Sequence, residues 1–229
     1  MNKIAVFGAS GRTGKLFTEL ALKNGYAVKA LVRDPSKFGI QHSNLEVIQG
    51  DMADPTKIEE TIGGTEAVIN LAGPRMADLV TPGKAPVPNL LRTANRNILS
   101  AMQQNKVERL IVVDSLPNGI IAGILDPNDQ PRFMNKWFIN KFTIFIGKIL
   151  LGELLKAGPA HVDLIKQSPL RWTIVRAPTL SNQPSKGNYR VGYLDANTGK
   201  VASRSDVAAC LLDVLMNGKY IRQMPIVSS

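Results

Sequence analysis

Apolar residues fall into two alternating patterns along this chain. Ile4 to Phe7 is a short apolar run with β-branched members, which predicts a buried strand. Leu16, Phe17, Leu20 and Ala21 then recur at helical spacing. The alternation continues with a strand over Tyr26–Val32, a strand over Leu45–Gln49, a helix over Pro55–Ile62 and a strand over Ala67–Leu71. A helix over Asn89–Asn105 turns Leu90, Leu91, Ala94, Ile98, Leu99 and Met102 inward, and Arg109–Val113 and Arg171–Val175 read as further strands. Ser205-Asp206 predicts an N-cap and first turn for a helix reaching Met216, followed by a last strand near Ile221–Val227. Strands that alternate with helices imply a parallel sheet with right-handed crossovers. The expected fold is therefore α/β, a doubly wound parallel sheet with a small C-terminal substrate region. The expected organisation is one domain over residues 1–229, with 116–158 as a helical insertion or lid.

The junction between the first strand and first helix carries the chemistry. Gly8, Gly11 and Gly14 stand in G-A-S-G-R-T-G, between strand and helix, as dinucleotide binding requires. Gly8 suits a tight turn, Gly11 admits a pyrophosphate close to the backbone, and Gly14 lets the helix pack against the strand. The backbone N–H groups and helix dipole then face the phosphates. Ser10 and Thr13 add hydroxyl donors, and Arg12 adds a positive charge.

The end of the second strand selects the cofactor. An acidic residue there would hold a ribose 2′-OH, but this chain has Arg33, with Lys37 close behind. A guanidinium fork suits a 2′-phosphate, so NADP (NADPH) is expected over NAD. Asp34 opposes that reading if it turns inward. Residues at the carboxyl ends of the next strands border the same crevice: Asp51 and Met52 beside the adenine, and Ala72 and Gly73 where the cofactor passes closely.

These segments, G-A-S-G-R-T-G, L-V-R-D-P-S-K, Q-G-D-M, I-V-V-D-S and W-T-I-V-R-A-P, resemble the atypical short-chain dehydrogenase/reductases. The nearest group is the NAD(P)H-binding one that contains biliverdin reductase B, also called flavin reductase. The resemblance spans residues 1 to about 115 and 168 to 229. It implies a Rossmann-like fold, a catalytic role for Ser115 beside the nicotinamide and a cofactor contact from Arg75. Asp114 departs from the neutral residue expected before that serine.

Ordinary short-chain dehydrogenases use a Tyr-x-x-x-Lys pair as proton donor. Tyr26, Tyr189, Tyr193 and Tyr220 all lack a lysine four residues on. Ketone reduction needs an acid at the developing alkoxide. A conjugated acceptor such as a flavin or quinone delocalises the charge and takes its proton from solvent. The expected function is an NAD(P)H-dependent oxidoreductase acting on such an acceptor. A non-catalytic NADP(H)-binding sensor is the alternative.

Composition narrows the field. Hydrophobic residues are 44% of 229, enough for a full core. The net charge of +10 comes from dispersed Lys and Arg without a basic run, which argues against nucleic acid and suits an anionic cofactor. Cys210, the single cysteine, lies in an apolar helix and suits a reducing cytoplasm. The first strand begins at once, so no signal peptide is expected and the expected location is cytoplasmic. His42 and His161 have no ligand-spaced partner, and no metal site is expected.

One stretch stands apart. Phe133–Leu155 is rich in large apolar residues around a narrow polar stripe. Lys136, Lys141 and Lys148 interrupt it, so a transmembrane span is not expected. Three readings stay open: a lid over an acceptor pocket with Trp137 and Phe138 stacking on the substrate, a homodimer interface, or a helix on a membrane surface.

Overall fold

Four of the five residues of the first strand, Lys3–Phe7 (β1), are buried, and both of its neighbours in the sheet are parallel to it. Our computed structural model describes residues 2–73, 87–115, 162–185, 187–193, 199 and 201–229. After β1 come α1 (Arg12–Lys23), β2 (Ala27–Val32), a 3₁₀ turn (Pro35–Lys37), β3 (Leu45–Gln49), α2 (Pro55–Ile62) and β4 (Ala67–Asn70). Then follow α3 (Val87–Gln104), β5 (Arg109–Ser115), β6 (Arg171–Ala177), β7 (Thr179–Ser181), β8 (Arg190–Gly192), β9 (Val201–Ser203), α4 (Arg204–Met216) and β10 (Ile226–Ser228).

The main sheet has the order β3-β2-β1-β4-β5-β6-β10-β8, parallel except for β8. This is the doubly wound Rossmann-like arrangement, in which the strand order reverses between β1 and β4. β7 and β9 form a separate parallel pair. Alternate residues of each strand feed two cores. Ile4 and Val6 join Phe17, Ala21, Val207 and Leu211 from α1 and α4 on one face. Ala5 and Phe7 join Ile58, Ile62, Ile98 and Met102 from α2 and α3 on the other. Near-continuous apolar strands such as A-V-I-N and R-L-I-V-V are the expected consequence of burial on both faces.

Three of the boundaries that differ from the sequence reading have a local physical reason. The cap of α4 is Ser203, not Ser205: its Oγ accepts from the Asp206 backbone N–H at 3.0 Å, and it donates to the Asp206 carboxylate at 2.7 Å. That is capping-box spacing, three residues apart. The last strand starts at Ile226 rather than Ile221, because Tyr220 and Arg222 take left-handed φ values of 57° and 56°, which no strand tolerates. β5 runs on through Asp114 and Ser115, since β6 pairs with it as far as Ala177. Cys210 is a buried core residue, as expected.

Candidate dinucleotide-binding site

The turn after β1 is built on glycine for steric reasons. Gly8 has φ +75°, and a Cβ there would lie 2.6 Å from the Ala72 nitrogen and 2.7 Å from the Leu71 carbonyl carbon. A Cβ on Gly14 would run into the Gly8 carbonyl oxygen and come within 2.8 Å of the Ala9 oxygen. The first constraint brings β1 against the end of β4, and the second brings α1 against the turn. The Gly11 N–H donates to the Gly8 carbonyl at 3.0 Å and closes the loop. Gly11 is then the N-cap of α1 and supplies no side-chain cap. The first amides of α1 stay available at the point where the strand order reverses, which is where open α/β sheets bind ligands. Ser10 and Arg12 are exposed and Thr13 is half-buried around this terminus.

A second structure holds the facing wall. Asn70, the last residue of β4, is buried, and its side-chain oxygen accepts from the Ala72 N–H at 3.0 Å. Its amide nitrogen donates to the side-chain oxygen of Asn95 on α3 at 2.9 Å. The Leu71–Gly73 turn opposite Gly8 is thus tied to a helix on the far face of the sheet. Ala72 is half-buried and Gly73 exposed at the crevice. Sequence reasoning missed Asn95; the signal available was a lone polar residue on the otherwise apolar inner face of α3.

At the end of β2, Arg33 is exposed and pairs with no described residue. Asp34 does not turn inward. It accepts from Ser36 Oγ at 2.6 Å and pairs with Lys37 Nζ at 2.7 Å, at the N-cap position of the 3₁₀ turn but without a side-chain cap hydrogen bond. Lys37 above all, and then Ser36, hold its carboxyl below the usual carboxylate range. Lys37 is therefore matched by Asp34, whereas Arg33 has no carboxylate partner among the described residues. Lys15 Nζ donates to the Lys37 carbonyl at 3.0 Å and ties α1 to this turn. Asp51 is exposed, with its carboxylate accepting from the Ala53 N–H at 2.8 Å, and Met52 packs partly against the second core.

Ser115 ends β5 in register with Ala177. Asp114 is buried and in register with Arg176, on the face that carries Leu110 and Val112. Arg176 donates to the Met224 carbonyl at 2.6 Å and 3.0 Å. Arg75, Trp137 and Phe138, with the rest of the Phe133–Leu155 stretch, lie outside the described residues. So does the whole of the expected 116–158 insertion. Among the described residues there is no cluster able to hold a metal, and no helix long and apolar enough to cross a membrane.

The crevice, the uncapped helix and the basic β2 end agree with what this chain is similar to. An uncharacterized chloroplastic protein of Arabidopsis thaliana is 33% identical over 221 residues, which cover 93% of this chain and 72% of that protein. The uncharacterized protein YwnB of Bacillus subtilis is 27% identical over 95% of this chain and 94% of its own. A wide-type short-chain dehydrogenase/reductase from Veillonella parvula, solved with NADP, superposes with a TM-score of 0.70 at 18% identity, over 100% of this chain and 94% of that one. A family model described as NAD(P)H-binding matches residues 8–218, from the first glycine of the turn to beyond the end of α4. The chain belongs to that NAD(P)H-binding family.

Proposed function

We propose that this protein is an NADPH-dependent reductase of a conjugated, apolar acceptor such as a flavin or quinone. The nicotinamide lies toward the end of β5, and the acceptor is a small molecule rather than nucleic acid. The observation that carries the reading is the placement of the four tyrosines, all of which are described. Tyr26 precedes the first residue of β2, at the amino edge of the sheet, away from the ligand. Tyr193 donates to Gln223, and the Tyr220 carbonyl accepts from Thr173 in the amino half of β6. Tyr189 is half-buried against the α1/α4 core, and burial above all raises its pKa. With no Tyr-x-x-x-Lys pair, none of them forms the usual acid for an alkoxide. An acceptor that delocalises the incoming electron pair needs no such acid.

Binding and chemistry divide between the residues. Nicotinamide supplies the hydride. Gly8, Ser10, Gly11, Thr13 and Gly14 receive the pyrophosphate, with Arg12 beside it. Arg33 receives the 2′-phosphate, with Lys37 at the rim held by Asp34. Asp51 and Met52 border the adenine; Ala72 and Gly73 let the cofactor pass, and Arg75 adds a contact. Ser115 hydrogen-bonds the acceptor, a contribution of the preorganised-dipole kind. Trp137 and Phe138 wall the acceptor pocket by stacking.

Steady-state NADPH oxidation with a panel of flavins and quinones tests this. Turnover that falls in Ser115→Ala, with the NADPH dissociation constant unchanged, is the expected result. Tight NADPH binding without turnover on any acceptor would overturn the enzyme reading in favour of a sensor. Replacing Trp137 and Phe138 with Ala should raise the acceptor KM alone. A dimer turning into a monomer with intact kinetics would make that stretch an interface instead.

A further inference from the structure

α1 and α4 pack along each other, and each leads into a strand parallel to β1. Both helices therefore begin at the carboxyl edge of the sheet, where the glycine turn lies. Arg12 is the first residue of α1 and Arg204 the first of α4. Arg204 is partly buried and aimed by two neutral acceptors: the Asn182 side-chain oxygen at 2.7 Å and the Leu180 carbonyl at 3.3 Å. No carboxylate among the described residues pairs with either arginine. Burial first, and then the charge of Arg12, lower the Arg204 pKa. Two arginines that begin packed helices at the same edge of the sheet, one helix uncapped, put positive charge where an anion is stabilised.

We propose that Arg204 is a cofactor-anchoring residue whose guanidinium, with that of Arg12, binds the dinucleotide pyrophosphate. The inference rests on the reading of this crevice as the NADPH site. Arg204 approaches from the side of α4 and β10, whereas Arg33 leaves the sheet at β2, on the opposite side of β1. The 2′-phosphate belongs to the Arg33 side, where a Rossmann fold places the adenosine ribose. The group left for Arg204 is the pyrophosphate, which NADH and NADPH share.

Calorimetric titration of the full chain with ADP-ribose and with 2′-AMP separates the two phosphates. ADP-ribose carries the pyrophosphate and 2′-AMP does not. Arg204→Gln should weaken ADP-ribose, NADH and NADPH alike, by about tenfold or more, and leave 2′-AMP unchanged. Arg204→Lys should restore part of that loss, because a charge remains. Asn182→Ala frees the guanidinium from its aim and should give a smaller loss of the same selectivity. Unchanged ADP-ribose binding in Arg204→Gln overturns the proposal, as does a loss confined to 2′-AMP and NADPH. Equal weakening of every ligand, 2′-AMP included, would mark a structural role and also overturn it. Wild-type protein that binds none of the four ligands would overturn the NADPH-site reading itself.

Discussion

Asn70 and Asn95 meet at 2.9 Å in the face between the sheet and α3, both buried, and through Asn70 the pair fixes the Ala72 N–H. A helix on the opposite face of the sheet from α1 thereby sets the backbone that faces Gly8. Replacing Asn95 with Leu leaves the Asn70 amide buried without its acceptor, which costs about 1–3 kcal/mol. The melting temperature should fall by several degrees on that scale. NADPH affinity should fall with it, because the Ala72 turn loses its support. Thermal melts and cofactor titration check the two effects. An Asn95→Leu protein as stable as the parent would show that the pair carries no weight.

Gly14→Ala inverts a general rule. Glycine in a helix is less stable than alanine by roughly 0.5–1 kcal/mol, so the substitution ordinarily stabilises. Here the added methyl would meet the Gly8 carbonyl and the Ala9 backbone, and neither is a flexible side-chain end. The expected outcome is a destabilised protein with weakened NADPH binding. Denaturant unfolding that shows a gain in stability would mean that α1 can move off the turn.

Cofactor choice should turn on Arg33. Arg33→Asp removes a charge-assisted contact of roughly 1.5–3 kcal/mol and adds repulsion. NADPH affinity should drop at least tenfold while NADH affinity changes little. Lys37→Ala should matter less, since Asp34 already matches that charge at 2.7 Å. Equal weakening of NADPH and NADH by Arg33→Asp would assign Arg33 a structural role.

Cys210 makes stability depend on alkaline pH. Burial above all, with a contribution from Asp213, pushes the thiol from 9.0 up to about 12 in the folded chain. Between these values the unfolded chain has released the proton and the folded chain retains it. The thiol's contribution is complete below about pH 9 and is lost progressively as pH rises toward 12. The stability gap between the parent and Cys210→Ala should therefore shrink by about 1 kcal/mol between pH 7 and pH 10. Denaturant titrations at the two pH values measure it. A constant gap would show that the thiol ionises in the folded state as it does in the unfolded one.

Local patterns in the chain decided much of this molecule. Apolar runs such as I-A-V-F and R-L-I-V-V have few options other than strands buried on both faces, and strict alternation with helices leaves a parallel sheet. Gly8 and Gly14 were legible because their roles act over a few residues: a positive φ and a short helix approach. Arg33 was legible as the residue at a strand end.

Contacts between distant segments were decided only by the tertiary structure. Whether Asp34 turns toward the crevice depends on Lys37 and Ser36 folding into a 3₁₀ turn, which composition does not determine. Asn95 becomes part of the site only when α3 crosses the end of β4, 25 residues away along the chain. Arg204 lies 192 positions after Arg12, and nothing in either local stretch predicts that the two arginines will begin helices packed along each other. Periodicity and turn chemistry are short-range properties of a chain. The placing of one charge beside another follows from sheet order and helix packing, which exist only once the whole chain has folded.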